Sequence, residues 1–339
     1  MPESLHFDEF NKVSREDWLE RIRRDLKDRS LRDAAWQADP DLMVDPFVHA
    51  VDPDVTLSGI GRIGQWQCGD VLIVNGDEDA CNGQIIEVLR GGVEALHLEI
   101  RQSPDWKRLL RDVQPGMIHL TVDLRTPEPD REVPAVLAWY EGLGLDHTQH
   151  SLTLRGITTT VPPHPHTIEI APGPGIVDHL STALRVAIEH GESCEFKTWV
   201  GPAYFLEIAR LRALRILVNN ARQALKAEWP FTIETHFAPD ALLPDPDQNM
   251  IRMGSLTLSA ILGGADRIYT RAVDAGTVPN DFQRRMARNV HHLFRYESHI
   301  DKMHDPVAGA YYFEKLTRQI VEQVWARLLG EEKMAAGSA

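Results

Sequence analysis

Eight short runs of this chain, most of them with apolar and polar positions alternating at a period of two, stand out: Gln67–Val74, Ala95–Ile100, Met117–Leu124, Leu152–Gly156, Thr167–Ile170, Glu195–Val200, Phe231–Phe237 and Arg267–Arg271. The runs are rich in β-branched and aromatic residues, and that pattern predicts half-buried strands. Between them the apolar spacing lengthens to a helical period, at about 79–90, 103–112, 130–143, 175–190, 203–227, 247–263 and 280–298. The Gly263-Gly264 pair between the last of these strands and the helix before it fits a tight turn. Ile157–His166 is Pro-rich and too short for a comfortable helix, so the fourth unit reads as degenerate. Near-regular alternation of strand and helix predicts an α/β fold of the (β/α)8 TIM-barrel type. A doubly wound open sheet is the structural alternative, because periodicity does not show closure. Tyr311–Leu329 adds a long extra helix, with Leu316, Ile320, Val324 and Leu328 on one stripe.

Upstream of the barrel, residues 1–64 read as an arm, a helix and a connector. Ser14, followed by Glu16 and Asp17, starts the helix, and Trp18, Ile22 and Leu26 form a narrow apolar face that docks on the barrel or on another chain. The connector, with Pro40, Pro46 and Pro53, is expected to be irregular. It holds Gly59-Ile-Gly-Arg-Ile-Gly64, a formal match to the dinucleotide fingerprint. A Pro-containing loop precedes that match and a strand follows it, the reverse of the context a cofactor loop needs. The barrel with its C-terminal helix is placed at 65–330, and 331–339 is expected to be a flexible tail.

Composition narrows the partners. The chain has 339 residues, 43% of them hydrophobic and 25% charged, which is ordinary for a globular protein. A net charge of −14 argues against nonspecific nucleic-acid or anionic-membrane binding. Three cysteines without a Cys-x-x-Cys pair offer neither a zinc ribbon nor a disulfide framework. A charged N-terminus and no long apolar run lead to the expectation of a cytoplasmic protein.

Strand parity nominates the candidate chemistry. If the apolar residues face the helices, Glu169, Lys197, Glu234, His236, Tyr269 and Arg271 point into the barrel on the fifth to eighth strands. In one reading they form a catalytic or substrate-binding set with His236 as acid/base candidate. In the favoured reading Glu169, Lys197, Glu234 and Arg271 neutralise one another as a buried ion-pair plug, since unpaired charges there would each cost several kcal/mol. Arg210, Arg212 and Arg215 are candidates for a phosphate grip, although arginines at helical spacing more often form an ion-paired face. His164-Pro-His166 lacks a nearby carboxylate, and His291-His292 face different ways on a helix. No metal site is expected.

Several blocks recur together in one known family. Ala260-Ile-Leu-Gly-Gly-Ala-Asp266, Phe282, Ala287-Arg-Asn289, Tyr296-Glu-Ser298 and Asp305-Pro with Gly309-Ala-Tyr-Tyr312 resemble the barrel domain of methylmalonyl-CoA mutases. Glu207-Ile-Ala-Arg-Leu-Arg-Ala-Leu-Arg215 is similar to that family's Glu-Ile-Ala-Lys-Leu-Arg-Ala-x-Arg helix. Phe10-Asn-Lys-Val-Ser14, Trp18-Leu19 and Asp25-Leu26 resemble its N-terminal arm, which wraps a partner subunit. Ala80-Cys-Asn82 resembles the Ala-Asn pair that opens its first barrel helix, with Asn as a cap.

The departures are as informative as the matches. Catalytic chains of the family carry Gly-Tyr-His after the fifth strand, where this chain has Ala171-Pro-Gly-Pro-Gly-Ile176. The family's Thr-His-x-Gln after the seventh survives only as Thr235-His236, with Ala238 in the Gln position. None of the fifteen histidines stands in the Asp-x-His-x-x-Gly loop that ligates cobalt, and a cobalamin domain is not expected within this length. The resemblance therefore implies a small, non-catalytic subunit-like barrel, partner of a large catalytic subunit in a heterodimer. Adenosylcobalamin is expected on that partner and no cofactor on this chain. Two alternatives stay open: an active acyl-CoA mutase barrel that uses a separate cobalamin-binding chain, and a homodimeric or larger homo-oligomeric barrel with an unrelated substrate.

Overall fold

The computed structural model describes residues 13–27, 29–48, 65–146, 152–158, 165–270 and 280–336. Eight strands follow one another in the chain: β1 (Gln67–Val74), β2 (Ala95–Ile100), β3 (His119–Leu124), β4 (Leu152–Arg155), β5 (His166–Ile170), β6 (Cys194–Val200), β7 (Phe231–Phe237) and β8 (Arg267–Tyr269). They pair in parallel in the order β4-β3-β2-β1-β8-β7-β6-β5. This is a nearly closed (β/α)8 barrel, and the open alternative falls away. Among the described residues the β4/β5 seam carries no ladder. Among the described residues, the one backbone ladder that joins the two half-barrels, β1–β4 and β5–β8, is β8–β1, where three residues of each strand pair.

Each half has its own apolar core. In the first, Leu96, Leu98, Leu120 and Val122 point outward against α2 (Glu78–Arg90), the single turn α3 (Trp106–Leu109) and α4 (Pro129–Glu141). In the second, Ile168, Phe196, Ile233 and Ile268 pack under α5 (Ile176–His190), α6 (Tyr204–Leu225) and α7 (Pro246–Gly263). The last helix, which continues to Ala336 and so reaches into the segment expected as a tail, buries Leu316, Ile320, Val324 and Leu328 in the same core. Burying such a side chain stabilises by about 1.5–3 kcal/mol, so outward apolar residues hold the wall and polar ones are left for the lumen. No helix among the described residues is long and apolar enough to cross a membrane.

Several local expectations change. The connector contains a hairpin, Trp36–Asp39 with Leu42–Val44, whose Leu42 and Val44 enter the second core. Its strands are only four and three residues long, too short for periodicity to register. Asn82 does not cap α2. Asp77 does, and the buried Asn82 amide instead donates to the carbonyls of Leu109 and Arg111, tying α2 to the next turn. The helix predicted at 280–298 is α-helical over Asp281–His292 and widens to a π-turn over Leu293–Glu297. Ser14 does start its helix, Arg15–Leu26, through a capping box with Asp17. That helix has no fully buried residue, and Trp18, Ile22 and Leu26 are half-buried, Trp18 edge-on to Phe47. The arm before residue 13, the Gly59–Gly64 stretch, His164 and Arg271 lie outside the described residues.

Candidate functional site

Strand parity sends a polar set into the lumen from both half-barrels. Glu195 and Lys197 on β6, Glu234 and His236 on β7, and Arg267 and Tyr269 on β8 share the inward face. From the other half come His97 on β2, His119, Thr121 and Asp123 on β3, and Thr153 and Arg155 on β4. All are buried except His236, which is partly so.

The ion pairs cross the lumen and do not simply link neighbouring strands. Arg155 donates to Glu234 through two nitrogens, at 2.9 and 3.0 Å, and to Glu195 Oε2 at 2.8 Å. Arg267 closes on the other oxygen of Glu195. Glu234 Oε1 also lies 2.7 Å from His236 Nε2. Lys197 turns instead toward the exposed Glu169, at 2.7 Å, and lies over the Trp199 ring. His119 Nε2 stands 3.2 Å from Thr121 Oγ1 and 3.9 Å from Glu195 Oε1. Of the side chains nominated by sequence, Glu234 and His236 therefore meet, Glu169 and Lys197 meet, and Arg155, Glu195 and Arg267 complete a network that sequence reading left out.

The electrostatics follow from this wiring. Burial alone would raise the Glu234 carboxyl, but the Arg155 charge and the His236 hydrogen bond outweigh it and hold the group well below the usual range. Burial depresses His236 against the opposing pull of Glu234, so its imidazole is neutral near pH 7. Burial, helped by Arg267, pushes His119 well below its ordinary value. The Tyr269 phenol is raised, first by burial and then by Glu234. Its ring stacks on His236 with centroids 4.7 Å apart, and lies so close to Gly69 that an added Cβ would stand 2.6 Å from it. Glycine on β1 is what lets an aromatic side chain occupy the axis there.

Above the network, at the C-terminal mouth, is a cleft of about 270 Å³ lined by Asp39, Pro172, Gly173, His179, Trp199 and Arg210 among others. The hairpin supplies Asp39, whose Oδ2 accepts from the backbone N–H groups of Gly175 (2.7 Å) and Ile176 (3.1 Å) at the start of α5. That carboxylate fills the positive end of the helix from within the chain. The candidate phosphate grip is engaged likewise. Arg210 bonds Glu207, Thr198 Oγ1 and the Trp199 carbonyl. Arg212 is fully buried against Asp305 and Glu314, and Arg215 reaches Asp266 and the Gly264 carbonyl. His291 is buried between the Trp66 indole N–H and Thr270.

Fold and lumen define a parallel (β/α)8-barrel protein whose axis is crossed by charge pairs and whose open ground is the C-terminal mouth, where barrels of this class place their sites. Comparison with known proteins adds the family. The family model described as Methylmalonyl-CoA mutase matches residues 184–336. The methylmalonyl-CoA mutase small subunit of Porphyromonas gingivalis is 24% identical over 395 residues, covering 96% of this chain and 64% of that one. The small subunit from Propionibacterium freudenreichii subsp. shermanii is 25% identical over 365 residues, covering 99% of this chain and 50% of that one. The methylmalonyl-CoA mutase of Rhizobium meliloti is 35% identical over 144 residues, 41% of this chain and 20% of that protein. The chain is similar to the methylmalonyl-CoA mutase family over residues 184–336, and along nearly its whole length it resembles the family's small subunits. It spans between 20% and 64% of the lengths of these curated relatives.

Proposed function

We propose that this chain is the small-subunit-like component of a cytoplasmic, adenosylcobalamin-dependent methylmalonyl-CoA mutase, and that it acts as the non-catalytic partner of a large catalytic subunit. The reaction of the complex would be the interconversion of methylmalonyl-CoA and succinyl-CoA, with its chemistry on the partner.

The observation that carries this reading is the crossed lumen. Arg155 spans from β4 to Glu195 and Glu234, Arg267 meets Glu195, and Tyr269 lies against Gly69. Catalytic mutase chains thread the pantetheine arm of the substrate along this axis, and here that path would require breaking buried ion pairs. Stripping one partner from such a pair costs about 3–5 kcal/mol, which a threaded thioester arm would have to recover.

The residues present do not fit adenosylcobalamin. In the lumen, His97 and His236 are enclosed by the barrel wall, out of reach of a macrocycle. The mouth cleft, at about 270 Å³, falls below the roughly 300–1,000 Å³ of sites that enclose drug-sized ligands. The helix Arg15–Leu26, with its half-buried stripe and no fully buried residue, offers a face for a second chain.

The test is co-expression with a large mutase subunit that carries the cobalamin domain, followed by sizing and a mutase assay with and without this chain. A 1:1 complex whose activity depends on this chain, while the isolated chain retains neither cobalamin nor a CoA ester, is expected. A CoA ester held by the isolated chain, or failure of any complex to form, would overturn the reading.

A further inference from the structure

Three ligand-type side chains meet in the lumen from opposite half-barrels. His97 comes from β2, Glu234 and His236 come from β7, and their donor atoms all lie within 4.8 Å of one another. Tetrahedral zinc, with bonds of about 2.0–2.2 Å, sets its ligand atoms about 3.3 Å apart, so small side-chain rotations close the gap. His97 is 5% exposed, its Nε2 faces Asp123 Oδ2 at 3.5 Å, and its buried Nδ1 has no hydrogen-bond partner. An imidazole steadied by a carboxylate through one nitrogen and free at the other is how metal-binding histidines are oriented. A second orphan is close by, the buried hydroxyl of Tyr269, whose ring stacks on His236 and meets His97 edge-on at 5.8 Å. Buried polar atoms without partners cost about 1–3 kcal/mol each, and two around one cluster point to a polar occupant.

Glu234 would share its carboxylate with Arg155. Of the carboxylates nearby, Asp123 also pairs with Arg125 at 2.8 Å and Glu195 with both Arg155 and Arg267, while Lys197 is answered by Glu169.

We propose that His97, Glu234 and His236 form a site for one divalent, imidazole-preferring cation of the zinc type, which braces β2 against β7 across the lumen. The brace would add to the Arg155 ion pairs in joining two half-barrels that have separate cores and one short backbone ladder, β8–β1, among the described residues. This assignment does not rest on the mutase reading.

The test uses the full chain stripped with EDTA, titrated with ZnCl2 by calorimetry and with CoCl2 by visible absorption. One ion per chain should bind, with affinity falling at least tenfold in His97→Gln and in His236→Gln. At a hundredfold excess over Kd the melting temperature should rise on the order of 5 °C, and the variants should lose that rise while their metal-free melting stays close to that of the parent. The competing explanation is the stacked His166/His190 pair, with rings 4.5 Å apart. Binding that survives His97→Gln and disappears in His190→Gln would overturn the proposal, as would no binding at all. Anomalous diffraction at the zinc edge decides the matter even if a variant fails to fold. A peak between His97 and His236 supports the site, and a peak at His190 alone, or none, overturns it.

Discussion

Replacing Arg155 by Met tests the lumen network at its centre. Arg155 is the only side chain bonded to both Glu195 and Glu234 among the described residues, and both carboxylates are fully buried. After the change Glu195 still has Arg267, whereas Glu234 keeps only His236. One buried carboxylate is thus left without a permanent cation, and the loss should be about 3–5 kcal/mol. Adding Glu234→Gln to Arg155→Met should restore about 1–3 kcal/mol by removing the stranded charge. The penalty should also depend on pH, in a direction that can be worked out. In the parent, Glu234 titrates well below the ordinary glutamate value of 4.5, so its stabilising contribution is present above that pH and fades as pH falls through the folded value. Without Arg155, burial lifts the carboxyl above its unfolded value, and its contribution is then lost as pH rises through the lifted value. The gap between parent and variant should therefore be widest at neutral pH and narrow toward about pH 4.5. Guanidinium unfolding of both proteins across that range, with the denaturant slope checked for constancy, measures it. A penalty under about 1 kcal/mol, or one that does not change with pH, would refute the crossed-lumen account.

Three further outcomes follow from single contacts. Gly69→Ala places a Cβ against the Tyr269 ring and should cost about 1–3 kcal/mol in thermal unfolding, with Tyr269→Leu in the same chain relieving much of it. His291 is buried with its pKa pushed down to about 3 from 6.5, so unfolding is increasingly favoured as pH falls below 6.5. His291→Gln should flatten the acid limb of a stability–pH curve by up to about 1.4 kcal/mol per pH unit, corresponding to one proton. Asp39→Ala removes the carboxylate that accepts from Gly175 and Ile176 and should destabilise by about 1–2 kcal/mol in denaturant titration, with Asp39→Asn losing less because one acceptor oxygen remains.

The barrel was legible because its wall obeys simple periodicity. Runs such as Ala95–Ile100 and Phe231–Phe237 put apolar residues outward at nearly every second position, and the observed strands have those same ends. The hairpin was missed because Trp36–Asp39 and Leu42–Val44 are too short to show a period, and because its burial depends on helix Tyr311–Ala336, remote in sequence. Asn82 shows the same limit. A polar residue near a helix start reads as a cap, and only the folded chain reveals the carbonyls of Leu109 and Arg111 that it satisfies instead.

The lumen was half legible, and the missing half has a physical reason. Parity applied to β6 and β8 points Lys197 and Tyr269 inward, and by the same step it also points Glu195 and Arg267 inward. Applied to Leu152–Arg155, it would have found Arg155. Pairing is what the sequence does not encode. Register sets Lys197 between Glu234 on β7 and Glu169 on β5, yet Lys197 pairs with Glu169 while Glu234 bonds Arg155 across the lumen. A guanidinium reaches two carboxylates at once, so Arg155 bridges Glu195 and Glu234, whereas the Lys197 ammonium meets the single, exposed carboxylate of Glu169. The difference between a crossed axis and an open one therefore rests on the last residue of a four-residue strand. A side chain at position 155 too short to span the lumen would leave Glu195 with Arg267 alone and Glu234 with His236 alone. The barrel would then have to admit water or a ligand to satisfy them.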